Sequence, residues 1–339
     1  MNSSPRGRKY GTAAAFAEAK GKINSTFFAI AGDIISTPNA LRSLADKHEG
    51  KISALLKEVE NPEQYGIAQV EQGYISSFAE KPKAPPKKGL VNCSLYAMDP
   101  SIFDKLENVT KSSRGEYEIT DMLKEEKAKA VITDEYWLDM GMPWQLFNAN
   151  EFLLSKMFAR KGQIENSNIK GKIIMEEGAK ILDSYVEGPI YLGKNSEIGP
   201  HAYIRGTTSI GSNCCIGDST TVKNSIIFDK VNAKHLTYIG DSIVGEGCNF
   251  GAATQIANFR FDAASIKAKV KDAVIDTQRH KLGAIIGDEV KMGVLSSVMP
   301  GKIIGNNCWI GPNVMVEENI PSYTHVQVEQ KLKTKKLKP

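Results

Sequence analysis

The chain has 339 residues, of which 41% are apolar, and a formal net charge of +4. That length allows two domains, and no apolar run approaches the ~18 residues that a membrane span requires. Five lysines fall in the last nine residues, KLKTKKLKP, so the remainder lies near −1; the basic tail, 327–339, reads as a solvated end, with no nucleic acid or membrane partner expected. The opening MNSSPRGRKY lacks the apolar stretch of a signal peptide, which points to a cytoplasmic protein. The five cysteines include no CxxC pair, so reduced thiols are expected instead of a zinc site or a disulfide framework.

Residues 1–142 alternate helical and strand patterns. AAAFAEAKGKI reads as a helix, TFFAIAGDII as a buried parallel strand ending in an Asp, LRSLADKH as a helix and ISALLKEV as a strand. Such alternation predicts an α/β domain with a mainly parallel sheet. Apolar residues at helical spacing in 143–160 (Leu146, Phe147, Phe152, Leu153, Met157) place a linker helix over 143–162.

From Val186 an apolar residue recurs every six positions: Leu192, Ile198, Ile204, Ile210, Ile216, Val222 and Phe228. The beat returns at Ile286, Met292, Val298, Ile304, Ile310 and Val316. Six is neither a helical period nor that of a single strand. It marks a left-handed parallel β-helix of hexapeptide repeats over 163–326, with the apolar residue turned inward and Gly easing the corners. Two segments interrupt it, between Phe228 and Val244 and over 257–284. The second is long enough to protrude as a hairpin-like loop, and insertions of this kind often build a solenoid's binding face.

His235 lies in the first interruption, in HLTYIGD. No pair among the five histidines has a convincing ligand spacing, which sets metal hydrolysis aside. A lone His beside an insertion suits a general base, although on position alone a hydrogen-bonded structural His is commoner.

HLTYIGD, then GEGCNFGAAT, then ANF, together with KLGAIIGD and RGEYEITD, resemble the bifunctional family that joins a sugar-1-phosphate nucleotidylyltransferase to a glucosamine-1-phosphate N-acetyltransferase, in its archaeal form. The resemblance implies an amino-sugar-1-phosphate N-acetyltransferase using acetyl-CoA, in nucleotide-sugar biosynthesis. His235 matches the catalytic base. Tyr238, Asn249 and Asn258 match residues at the sugar, and Arg205 and Lys223 match cations on its phosphate, where a guanidinium can grip two oxygens. The family is trimeric, so a homotrimer is expected. Two positions depart: Thr221 stands where members often carry a Glu that orients the base, and Ala264 where they often carry a Lys, a charge that Lys267 could supply. Glucosamine and galactosamine 1-phosphate remain open as acceptors.

The first half resembles the nucleotidylyltransferase domain, a Rossmann-like sheet using UTP or dTTP. Gly11 and Thr12 match a turn against the base. Asp33 and Asp139 match the Mg²⁺ ligands, two carboxylates that leave room for phosphate oxygens. Gly66, Glu80, Lys81 and Asn92 match sugar contacts and a phosphate-facing Lys. The family's Gly-rich loop with Arg and Lys, GxGxRxxPLT in form, has no counterpart in this sequence. The expectation is therefore an N-terminally truncated, incomplete domain, inactive as given. Alternatives are a nucleotidylyltransferase with the β-helix as assembly scaffold, or a non-catalytic oligomeric scaffold.

Overall fold

A computed structural model describes residues 11–80, 86–106, 109–111 and 115–337. The chain divides into two compact units, Met1–Gly141 and Met142–Pro339.

In the first unit α1 (Thr12–Ala17) precedes β1 (Phe27–Ile30), β2 (Ile34–Ser36), α2 (Pro38–Asp46), β3 (Ile52–Glu60), β4 (Gly66–Glu71), β5 (Tyr74–Glu80) and β6 (Lys88–Met98). Then come α3 (Phe103–Leu106), α4 (Ile119–Glu125), β7 (Lys129–Ile132) and β8 (Trp137–Asp139). Helix α2 starts where the sequence stops it from starting earlier. The Thr37 hydroxyl caps Ala40 N–H, and Pro38 follows at the first position, where a missing N–H costs nothing.

Six strands form one sheet in the order β1-β6-β3-β7-β5-β4, with an additional β6–β4 pairing. Only β3 and β7 run parallel; every other pair in this sheet is antiparallel. The expected mainly parallel sheet is thus corrected to a mixed one. The reason is local: Gln72-Gly73 joins β4 to β5 as a tight hairpin with positive φ at both residues, and a hairpin can only make antiparallel neighbours. Strand β1, read as a buried parallel strand, is antiparallel at the sheet edge and leaves Phe28 and Ile30 each 45% exposed.

In the second unit α5 (Leu146–Lys156) leads into a β-helix of short parallel strands. Its three faces hold eight, seven and nine strands. We call them face one (with Tyr203–Arg205), face two (with Thr208–Ile210) and face three (with Cys215–Ile216). Inward positions stack by type. Val186, Ile204, Val222, Ile239 and Ile256 form one column, each fully buried. Buried hydroxyls finish the corners: the Ser225 Oγ donates to Lys223 C=O and accepts from Ser242 N–H, so backbone groups stranded at the bend find partners.

The six-residue beat slips at more than one corner, as between Ile181 and Val186, Val222 and Ile227, and Ile239 and Val244. After Lys223 the corner is one residue shorter, so Ile210 pairs with Ile227, and Ile227 takes the inward place. Phe228, assigned to the core from its spacing, lies outside at 47% exposure. The second interruption is a true hairpin, Lys267–Val270 paired antiparallel with Ala273–Asp276. It is anchored by an apolar cluster that includes Trp144, Phe147, Ile266 and Leu282. All five thiols are free. Burial pushes Cys93 up to about 12, and Cys214 and Cys248 up to about 11, so these three are packing groups and not nucleophiles.

Candidate active sites

On the β-helix, the corner between faces three and one repeats in each coil, and polar residues one coil apart meet there. Leu236 and Ala253 hold positive φ at successive corners, bonded in series through Leu236 N–H to Asp218 C=O and Ala253 N–H to His235 C=O. This stacking sets His235 directly beside Asp218, with Nδ1 2.9 Å from Oδ2. An ionised carboxylate can only accept, so Nδ1 carries the hydrogen and Nε2 offers its lone pair outward. Both side chains are about half exposed, 56% and 51%, within reach of a ligand.

Further along face one lies a denser cluster. Asp241 is 3% exposed and accepts from three side chains: Lys223 Nζ at 2.9 Å and Asn258 Nδ2 at 2.5 Å on Oδ2, and Asn224 Nδ2 at 2.8 Å on Oδ1. Asn258 Nδ2 also reaches the Tyr238 hydroxyl at 3.1 Å. A buried carboxylate is tolerable only with such partners. Gly240 leaves the space they use; a Cβ there would press on both Asn258 and Tyr238. Lys223, Tyr238 and Asn258 are thus brought together around one residue, Asp241, that the motif reading passed over.

Arg205 is one ladder step from Lys223. Its guanidinium carbon lies 5.2 Å from the Tyr203 ring centroid, and its Nε is buried with no partner. Thr221 sits in the ladder between Tyr203 and Tyr238; the carboxylate beside His235 comes from Asp218 instead. Asn249 is exposed on face three, paired with Asn232, and so stands on a different face from Tyr238. Lys267 lies in the hairpin opposite Asp276 and lines a cleft of about 560 Å³ with Phe259, Arg260 and Lys302. A nearer cation is Lys281, exposed and paired with Phe259, while Leu282 N–H donates to Asn258 C=O. The hairpin folds position 281 back against 259, a proximity that linear spacing conceals.

In the first unit, Gly11 and Thr12 are stitched to the RGEYEITD segment. Ala13 N–H donates to Tyr117 C=O, and Ile119 N–H donates to Thr12 Oγ1 at 3.0 Å. Gly11 has φ 132°, and any Cβ would strike the Tyr117 backbone. Asp33 and Asp139 meet across the β2–β8 ribbon, where Ile34 pairs with Asp139 and Met140 N–H donates to Asp33 C=O. Tyr65 stacks edge-on with Trp137 at 5.5 Å. Burial, then the Asp139 charge, raises the Tyr65 phenol. Gly66 faces Glu80 in the β4–β5 ladder, and Lys81 lies outside the described residues. The Asn92 amide is engaged within its own strand: Nδ2 donates to Tyr96 Oη at 2.7 Å and Oδ1 accepts from Ser94 N–H. Among the described residues no three His, Cys, Asp or Glu gather as a complete metal cage.

Residues 1–156 match the family described as Nucleotidyl transferase, and residues 186–294 match the GMPPB C-terminal domain. The chain is 41% identical over 336 residues to the bifunctional protein GlmU of Methanocaldococcus jannaschii, covering 97% of this chain and 81% of that one. It belongs to the bifunctional GlmU family. The GlmU of Methanococcus aeolicus is 39% identical over 96% of this chain and 81% of its own. The bifunctional sugar-1-phosphate nucleotidylyltransferase/acetyltransferase of Sulfurisphaera tokodaii is 38% identical over 91% and 79%. Among the described residues no helix is long and apolar enough to cross a membrane.

Proposed function

We propose that this GlmU-family chain transfers the acetyl group of acetyl-CoA to the amine of glucosamine 1-phosphate or its galactosamine analogue. The reading places it in nucleotide-sugar synthesis, as a cytoplasmic homotrimer whose other half is a UTP- or dTTP-dependent sugar-1-phosphate nucleotidylyltransferase. The observation that carries it is the Asp218–His235 pair, on the same coils as the Asp241 cluster. In this reading Asp218 fixes the imidazole tautomer, and His235 Nε2 takes the amine proton as nitrogen attacks the thioester carbon. Arg205 and Lys223 hold the 1-phosphate. Tyr238 and Asn258, held by Asp241, orient the sugar, and Asn249 and Lys267 border the site. Asp241 shares the charge of Lys223, so Arg205 supplies the larger part of the phosphate's attraction.

In residues 1–141, Asp33 and Asp139 would hold Mg²⁺, which shields phosphate charge when bound. Gly66, Glu80, Lys81 and Asn92 would border the sugar, and Gly11 and Thr12 the base. The sequence contains no Gly-rich loop with Arg and Lys to cradle a triphosphate.

The test is release of CoA thiol from acetyl-CoA with glucosamine 1-phosphate, beside a His235→Ala variant. Loss of a general base is expected to slow turnover by about 10²–10⁴-fold. Equal rates in the two proteins would refute the assignment.

A further inference from the structure

Below Lys223 on face one lie two coils of side chains that the acetyl-transfer reading leaves unused. Ladder pairing places Lys223, Arg205, Glu187 and Lys170 in one outward column. The neighbouring column holds Tyr203 and Tyr185, whose rings meet edge-on at 5.3 Å. The Arg205 guanidinium rests on Tyr203, and Lys170 Nζ lies 5.2 Å from the Tyr185 centroid. The Tyr203 hydroxyl donates to Glu187 Oε2 at 3.3 Å.

Cross-strand aromatic pairs stabilise a sheet in their own right. That does not account for Arg205, whose Nε is buried without a partner while the carboxylate one coil below is bonded to Tyr203. Strands stack about 4.8 Å apart, so three steps from Lys223 to Lys170 cover roughly 14 Å. Along that path two cations give way to a carboxylate, with Tyr203 level with Arg205, Tyr185 level with Glu187, and Lys170 at the far end. Cations suit a diphosphate. The carboxylate repels a further phosphate but accepts from the hydroxyls of a ribose. Aromatic rings accept a base by stacking.

We infer that the acetyl-transfer site also takes an amino sugar already joined to a nucleoside diphosphate, with Glu187 at the ribose and Tyr185 at the base. The inference rests on the acetyl-transfer reading and widens its substrate class. The step balances as before: nitrogen bonds to the acetyl carbon, the carbon–sulfur bond breaks, His235 takes the amine proton, and the departing thiolate is protonated to CoA thiol. The diphosphate linkage is untouched. Acetylation could then precede or follow attachment of the nucleotide.

The test uses the full chain with acetyl-CoA, comparing thiol release from glucosamine 1-phosphate and from UDP-glucosamine. Both are expected to be acetylated. Tyr185→Ala and Glu187→Ala should each raise KM for UDP-glucosamine about fivefold or more, since a stacked base is worth about 1–3 kcal/mol. KM for glucosamine 1-phosphate should stay within about twofold, because the added contacts lie beyond the shared sugar phosphate. Tyr185→Phe keeps the stacking ring and should restore the UDP-glucosamine KM. Acetylation of glucosamine 1-phosphate but not of UDP-glucosamine would overturn the inference alone. So would a UDP-glucosamine KM indifferent to both alanine variants. Failure with both acceptors would remove the acetyl-transfer reading and this inference with it.

Discussion

Two polar contacts summarise how differently the two units place their side chains. In the β-helix, Lys223 and Asp241 are 18 residues apart and meet because one coil lies on the next. In residues 1–141, Thr12 and Ile119 are 107 residues apart and meet only after most of that unit has folded. A repeat converts position into proximity by a fixed rule, whereas a mixed sheet does so separately for each pair. The lesson concerns energetics as well as legibility. Each β-helix coil leans mainly on its two neighbours, while β6 is shared by β1, β3 and β4 and ties distant segments into one cooperative structure.

The sharpest way to break this contrast is a core truncation. Ile239→Ala removes a fully buried side chain from the column behind Tyr238, and such losses cost about 2–5 kcal/mol. The β-helix transition should fall in denaturant while that of residues 1–141 stays in place; a joint shift would show that the units do not unfold separately. Next in size is Asp241→Asn, which keeps the shape but removes the charge that Lys223 faces. With Lys223 side-chain exposure at 19%, the loss should be about 1–3 kcal/mol, read as a raised KM for the amino-sugar phosphate. An unchanged KM would separate the cluster from the acceptor site.

Thr12→Val is the matching test in the first unit. It leaves Ile119 N–H without its acceptor, for a loss of about 1 kcal/mol; hydrogen exchange at the start of α4 should quicken while the β-helix amides keep their protection. The smallest expected effect is on pH. In the hairpin, Arg260 holds Asp262 well below the ordinary carboxylate range, and the Gln278 N–H and then Ser265 lower Asp276. A depressed carboxylate contributes its full stabilisation above the ordinary value of 3.8, and loses it as pH falls through the lower folded value. Both groups are exposed, so the consequence should be local. Amides at Ile266 and Thr277 should exchange relatively faster at about pH 2 than at about pH 5, after correction for intrinsic rates.

Much of the second unit was legible in the sequence because the inward column repeats. Phe228 was misplaced because one corner is a residue short, a change that shifts inside to outside in a single step. Asp218 and Asp241 were also within reach: each lies one coil, 17 or 18 residues, from the residue it serves. The signal was the period itself, applied to polar positions as well as apolar ones. Lys281 was hidden because a hairpin of unknown length intervenes. In residues 1–141 the helices and strands were readable from local pattern, but their directions depended on hairpins such as Gln72-Gly73, whose effect on neighbouring strands is not local.

The short corner after Lys223 has one further consequence. A stack that communicates only between adjacent layers behaves like a ruler whose graduations are coils. Whole coils added or removed at its far end would leave the graduations at 218, 235 and 252 aligned. A single residue inserted between them would not, since every later side chain would rotate out of phase. Drift in the length of such a protein should therefore come in steps of a full coil, and the one-residue contraction after Lys223, repeated between Ile239 and Val244, marks a place where the phase was reset without losing the alignment of Asp218 with His235.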